Sequence, residues 1–251
     1  MPSIHEPEAG PTWAERAHLP DFAGVLDPAD ADGAKNRLID RIHKRVLARA
    51  LGSLDGLRVL DFGCGNGRIA SWLDQGGADV DGVDPSPEMI EAAVALRSGA
   101  RFQTNGETLP FDSGSFAAVV SVTVLQYLVL TAAAGVAVRE LRRVLRPAGR
   151  LIAIEQAHDG ELQRGSSVAG YRAMFEDAGF DVTRASPVRR GNSTLINIAL
   201  RHQKLADTGI VQFAAPFEAR VARKFQRPTP YADWLFVARL DRGVRPRHET
   251  N

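Results

Sequence analysis

Three glycines in five positions, Gly63, Gly65 and Gly67, separate the apolar run "RVLDF" from the helix-like "RIASWL". A glycine-rich turn between a strand and a helix lets backbone N–H groups and the helix start approach a ligand more closely than side chains would permit. The spacing is G-x-G-x-G. It differs from the G-x-G-x-x-G of a dinucleotide turn, whose third glycine serves packing of the helix on the strand. Asp61, two residues before the first glycine, sharpens the difference: a carboxylate there repels a pyrophosphate and can hold an ammonium group, directly or through water. The turn suits a zwitterion better than a diphosphate.

A second acid strengthens this reading. Asp84 ends the next apolar run, "VDGVDPS", seventeen positions beyond Gly67, where a carboxylate can accept hydrogen bonds from both hydroxyls of a ribose. Met89 follows five residues later, a soft apolar side chain able to lie against a purine. Ammonium tail, ribose and purine together describe S-adenosylmethionine (SAM).

The surrounding pattern sets the fold. "AKNRLIDRIHKRVLARAL" carries Leu38, Ile39, Ile42, Val46, Leu47 and Leu51 at spacings of three and four, which predicts an amphipathic helix ending near Gly52. Strand-like and helix-like segments then alternate as far as "RLIAIEQ", as in a sheet built through right-handed crossovers. The expected architecture is α/β, a Rossmann-like, doubly wound sheet of seven strands, with an N-terminal helical arm and an insertion or lid between its last two strands, "DVTRASPVR" and "YADWLFVARL". Residues 1–52 form the arm and cap helix, residues 53–251 the main domain, and residues 191–230 the insertion. A connection of that length in a compact domain carries function or its own structure, here as a lid or a homodimer surface.

With these motifs in place, the chain resembles the class I SAM-dependent methyltransferases over roughly Arg58 to Ile154. "VLDFGCGNGRIASWL" looks like their first motif and "GVDPSPEMI" their second; "LPFDSGSFAAVVSVTVLQYL" and "ELRRVLRPAGRLIAIEQ" look like the regions of strands three to five. The resemblance implies that Asp61, Gly63, Gly65 and Gly67 surround the methionine moiety, Asp84 and Pro85 the ribose, and Met89 one face of the adenine. Asn105, with Gly106 and Glu107, falls where many relatives place an aspartate toward the adenine amino group, and an asparagine carbonyl can accept the same hydrogen bond. Ser121, Val122 and Gln126 should border the sulfonium and the acceptor.

Just past the fifth strand, "IEQAHDG" offers Glu155, His158 and Asp159 at the expected substrate mouth. An imidazole suits general-base work near neutral pH, with a carboxylate to orient it, so His158 and Glu155 are the catalytic candidates. The same three side chains could hold a divalent cation such as Mg2+. His43, on the N-terminal helix, and His202, in the insertion, are read as solvent-facing; Arg164, Tyr171, Arg189 and Arg190 are possible substrate contacts, with helix and strand surface as the default reading. A looser resemblance to methyltransferases of glycan and natural-product pathways implies O-methylation of a small polar acceptor, a sugar or short oligosaccharide. Three Tyr and three Trp in the whole chain show no aromatic cage for a quinone or phenol. The alternatives are an N- or C-methyltransferase of another small metabolite, or a SAM-binding protein without transfer activity. An NAD-linked oxidoreductase is disfavoured by the glycine spacing.

Composition narrows the partners. With 31 Lys and Arg against 30 Asp and Glu, charge calls for no nucleic acid, and the arginine clusters "RELRRVLRPAGR" and "VRPRH" read as a solvated helix face and a tail. No apolar run approaches the roughly 18 to 20 residues of a membrane span, and the first residues lack a basic-then-apolar signal. Cys64 alone excludes an internal disulfide and a Cys-based zinc cluster, and fits a reducing compartment. A cytoplasmic protein is expected.

Overall fold

The computed structural model of the chain describes residues 12–20, 22–30, 32–106, 108–129, 133–157, 166–190, 196, 217 and 232–240. The arm holds a short helix, α1 (Trp13–Arg16), opened by a reciprocal cap between Thr12 and Glu15. Helix α2 (Ala34–Leu51) follows, ending at Gly52 as its apolar spacing predicts. Then come β1 (Arg58–Phe62), α3 (Arg68–Gln75), β2 (Asp79–Asp84), α4 (Pro87–Ala95), β3 (Arg101–Thr104) and β4 (Phe116–Val122). The chain continues through α5 (Leu125–Leu128), α6 (Ala133–Val144), β5 (Leu145–Ala157), α7 (Val168–Asp177), β6 (Phe180–Arg190) and β7 (Ala232–Leu240).

The seven strands lie in the order β3-β2-β1-β4-β5-β7-β6. The first five are parallel; β7 runs antiparallel between β5 and β6. Alternate residues of the same strands feed two cores. Val59, Val120, Val122, Ile152 and Ile154 pack with Leu38, Ile42 and Leu47 of α2 and Ile69 and Leu73 of α3. Leu60, Val119, Leu151 and Ala153 pack with Val138 and Leu141 of α6 and Tyr171 and Phe175 of α7. A sheet with both faces covered explains why its strands read as continuous apolar runs. Strand order reverses between β1 and β4, and the carboxyl ends of strands at such a switch point are where open α/β sheets bind ligands. The insertion 191–230 lies outside the described residues except for Ile196 and Phe217.

Candidate active site

The glycine turn joins β1 to α3 at that switch point. Gly63, Gly65 and Gly67 all take positive φ, 69°, 52° and 78°, a conformation that side-chain-bearing residues resist. Space is equally restrictive: a Cβ on Gly63 would strike the methyls of Val124, and one on Gly67 would come within 2.9 Å of Ala93 Cβ. The N–H groups of Gly63 and Cys64 donate to Val83 O at 2.8 and 2.9 Å, tying the turn to β2. Asp84, at the end of β2, accepts from Gly65 N at 2.9 Å through Oδ2 and from Ser86 N at 3.0 Å through Oδ1. The acid expected to face the ribose therefore also shapes the turn.

Asp61 is 2% exposed, and its Oδ2 has no hydrogen-bond partner among the described residues. Burial lifts its carboxyl from 3.8 to about 7, against the pull of Arg68 and the N–H of Ala70. Arg68 itself pairs with Asp40 of α2 at 2.8 Å, and Lys44 closes on the same carboxylate at 2.8 Å. Asp61 thus lacks the full counter-charge that a buried carboxylate needs, a deficit that a ligand ammonium would fill. It shares with Gly63, Arg68, Val122 and Val25 a cavity of about 20 Å³, the room of a single water.

The other cofactor candidates lie around this turn. Met89 is buried beside Gly65, its Sδ 4.0 Å from the point where a Gly65 Cβ would stand. Asn105 donates to Gly106 O at 3.0 Å, while its Oδ1 has no partner among the described residues, leaving the acceptor that an adenine amino group requires. Pro85 and Gly106 are exposed, and Glu107 lies outside the described residues.

Glu155 departs from its expected place at an open mouth. It is 0% exposed, because β5 runs on through Gln156 and Ala157 and sets it below the rim. Its carboxylate accepts from Ser121 Oγ at 3.1 Å, Val124 N at 3.3 Å and Gln126 N at 3.2 Å. It caps α5 from across the sheet and anchors the turn after β4, where Thr123 holds φ 59°. Burial raises its carboxyl to about 7 against these donors. Ser121 and Gln126, expected to border the sulfonium, belong to this cluster; Gln126 Oε1 accepts from Gln156 N at 3.2 Å. Val122 alone of the three lines the cavity with Asp61. His158, Asp159, Arg164 and His202 lie outside the described residues, and among those described no group of three or more His, Cys, Asp or Glu is placed to hold a metal.

His43 is not solvent-facing. It is 0% exposed and meets Asp233 of β7 at 3.0 Å through Nε2, while Arg189 Nε closes on the same carboxylate at 2.6 Å. Burial lowers the imidazole pKa against the pull of Asp233, whereas Asp233 is held below the usual carboxylate range despite its burial, by Arg189 first and His43 second. Arg190 is buried beside it and Tyr171 lies in the α7 core against Phe175 and Phe236. None of these is an open substrate contact in the described structure. Sequence reasoning missed Asp40, Arg68 and Asp233. The first had a signal: Asn36, Asp40 and His43 share the spacing that continues into Leu47 and Leu51, a polar extension of the buried stripe. Also missed was an aromatic pair at α5, where Trp13 of the arm meets Tyr127 edge to face at 5.3 Å.

Residues 60–153 match the family described as a methyltransferase domain. An uncharacterized methyltransferase, YodH, of Bacillus subtilis is 36% identical over 142 residues, covering 55% of this chain and 57% of its own. A demethylmenaquinone methyltransferase of Beutenbergia cavernae is 38% identical over 118 residues, covering 47% and 48%. The chain spans about half the length of the curated relatives it matches. Among solved structures, the cyclase SpnF superposes with a TM-score of 0.60 at 21% identity, covering 80% of both chains, a likeness of fold alone.

Proposed function

We propose, from a chain with the class I SAM-dependent methyltransferase fold whose residues 60–153 match a methyltransferase domain, that it transfers the methyl group of SAM to a hydroxyl of a small acceptor. The observation that carries the reading is the Oδ2 of Asp61, without a partner among the described residues and buried at a turn whose glycines leave no room for side chains. SAM is the cofactor of such families, and it supplies an electrophilic methyl on a sulfonium. The residues present fit it: Asp61 would hold the ammonium, Asp84 the ribose hydroxyls, and Asn105 the adenine amino group. In-line displacement forms the O–CH₃ bond as the C–S bond breaks and its electron pair passes to sulfur. Positioning supplies much of the acceleration, and the turn after β4, held by Glu155, sets the wall that the acceptor meets. Glu155 is therefore a positioning residue in this reading, and the base that takes the hydroxyl proton is His158, with Asp159 to orient it or to share a divalent cation.

A sugar or short oligosaccharide remains the first acceptor proposed. Tyr127, whose ring the arm's Trp13 covers, favours a second reading, an apolar ring acceptor of the kind named for the demethylmenaquinone relative. Transfer of labelled methyl to a panel of sugars and of demethylated quinones, with and without chelator, separates them. Label on a sugar that falls at least tenfold in His158→Ala supports the first; label on quinones alone replaces it with the second. Label on neither, despite SAM binding, returns the chain to a SAM-binding role without transfer.

A further inference from the structure

The arm lies on the seat that the Proposed function gives to the cofactor. Val25 Cγ1 stands 2.6 Å from the point where a Cβ on Gly65 would sit, so its methyls rest directly on the turn. Gly24 lies beside it, 4.0 Å from Met89 Cε measured from its own Cβ position, and that Cβ would collide with Arg16 O. Gly24 and Val25 thus rest against both Gly65, assigned to the methionine moiety, and Met89, assigned to the adenine. The cavity left beside Asp61 is of water size, whereas a small-molecule site runs to hundreds of cubic ångströms.

The two ends of the arm are held differently. Where it joins α2 it is clasped: Asp27 N donates to Asn36 Oδ1 at 3.1 Å, Asn36 Nδ2 to Asp27 O at 2.8 Å, and Lys35 pairs with Asp27 at 2.6 Å. Gly33, at φ 67°, turns the backbone into α2 inside the loop that this clasp closes. The far end is held by the edge-to-face contact of Trp13 with Tyr127 and by the cation–π contact of Lys44 over Phe22, each individually weak.

We propose that the described arm N-terminal to the clasp, residues 12–20 and 22–26, is a displaceable plug, hinged at the Asp27–Asn36 clasp, that competes with SAM for the surface made by Gly65 and Met89. The inference rests on the assignment of SAM to this turn. SAM binds only to chains whose arm has swung off Gly65, so its apparent affinity is reduced by the fraction that is open, and association is limited by opening at high SAM.

The test is stopped-flow association of SAM with the full chain, followed by intrinsic tryptophan fluorescence, beside calorimetric affinities for the parent, Val25→Gly and Trp13→Ala. The observed rate in the parent is expected to reach a plateau with SAM concentration. Val25→Gly removes the methyls resting on Gly65; it should raise both plateau and affinity about fivefold, the effect of half-buried methyls. Trp13→Ala releases the far end and should tighten SAM in the same direction, a second readout should Val25→Gly unfold. A parent rate that rises linearly with SAM, with neither variant binding more tightly, overturns the plug and leaves the SAM assignment standing. Failure of parent and both variants to bind SAM at equilibrium overturns the assignment, and the plug with it.

Discussion

Replacing Asp61 by asparagine should stabilise the fold and weaken cofactor binding together. The carboxyl is buried, one of its oxygens has no partner among the described residues, and burial outweighs Arg68 in lifting it from 3.8 to about 7. A folded pKa above the unfolded one means that the native state holds the proton more tightly. Asp61 therefore costs nothing below pH 3.8, costs progressively more as pH rises toward 7, and levels off beyond. Ionising a group raised that far costs about 4 kcal/mol at pH 8. The asparagine amide has no charge to desolvate, and Arg68 retains Asp40 at 2.8 Å. Asp61→Asn should thus gain up to about 4 kcal/mol at pH 8, on the order of 10 °C in Tm for a chain of this size, with the gain vanishing near pH 4. SAM should bind roughly 10- to 100-fold more weakly, the loss of one charge-assisted hydrogen bond. Thermal unfolding at pH 4 and pH 8 beside calorimetric SAM titration measures both. A variant no more stable than the parent at pH 8, or a gain equal at the two pH values, would refute the reasoning.

Gly63→Ala should lose SAM binding and stability, because the new Cβ meets Val124 at a backbone φ of 69°. Adding Val124→Ala should recover the steric part and leave the backbone strain of about 1 to 3 kcal/mol; a double-mutant cycle that is additive within about 0.5 kcal/mol would show that the two do not meet. Asp233→Ala removes the carboxylate shared by His43 and Arg189 and should cost about 3 to 5 kcal/mol, read as a fall in Tm; a change under about 1 kcal/mol would remove this buried cluster from the account of stability. Because burial depresses the folded pKa of His43, its contribution is complete above pH 6.5 and is lost as pH falls. Asp233→Ala should steepen that loss, since the imidazolium then has no carboxylate.

What could be read from the sequence was chemistry whose parts are neighbours along the chain. Helix α2 ends at Gly52 and the glycine turn opens α3 because apolar spacing and glycine act within a few residues. Asp84 shows the limit of that reading: its place at the end of β2 was evident, but its hydrogen bond to Gly65 N, which makes it part of the turn, was not. Glu155 was misplaced for a similar reason, since β5 extends two residues past it and the donors that hold the carboxylate come from β4 and the start of α5. His43 and Asp233 stand 190 residues apart, and each alone is too polar to bury; only their meeting, with Arg189, makes burial of either affordable. Such a pairing leaves no local trace, because an antiparallel β7 lodged between β5 and β6 is what brings Asp233 under α2. The arm follows the same logic with the opposite outcome. Val25 is an ordinary apolar residue in a stretch rich in Pro and Asp, and it acquires a role only because Gly65 offers no side chain to keep it off the turn. The glycine spacing that admits a ligand's close approach admits the chain's own arm equally well, so a turn built this way needs a hinge as much as a pocket.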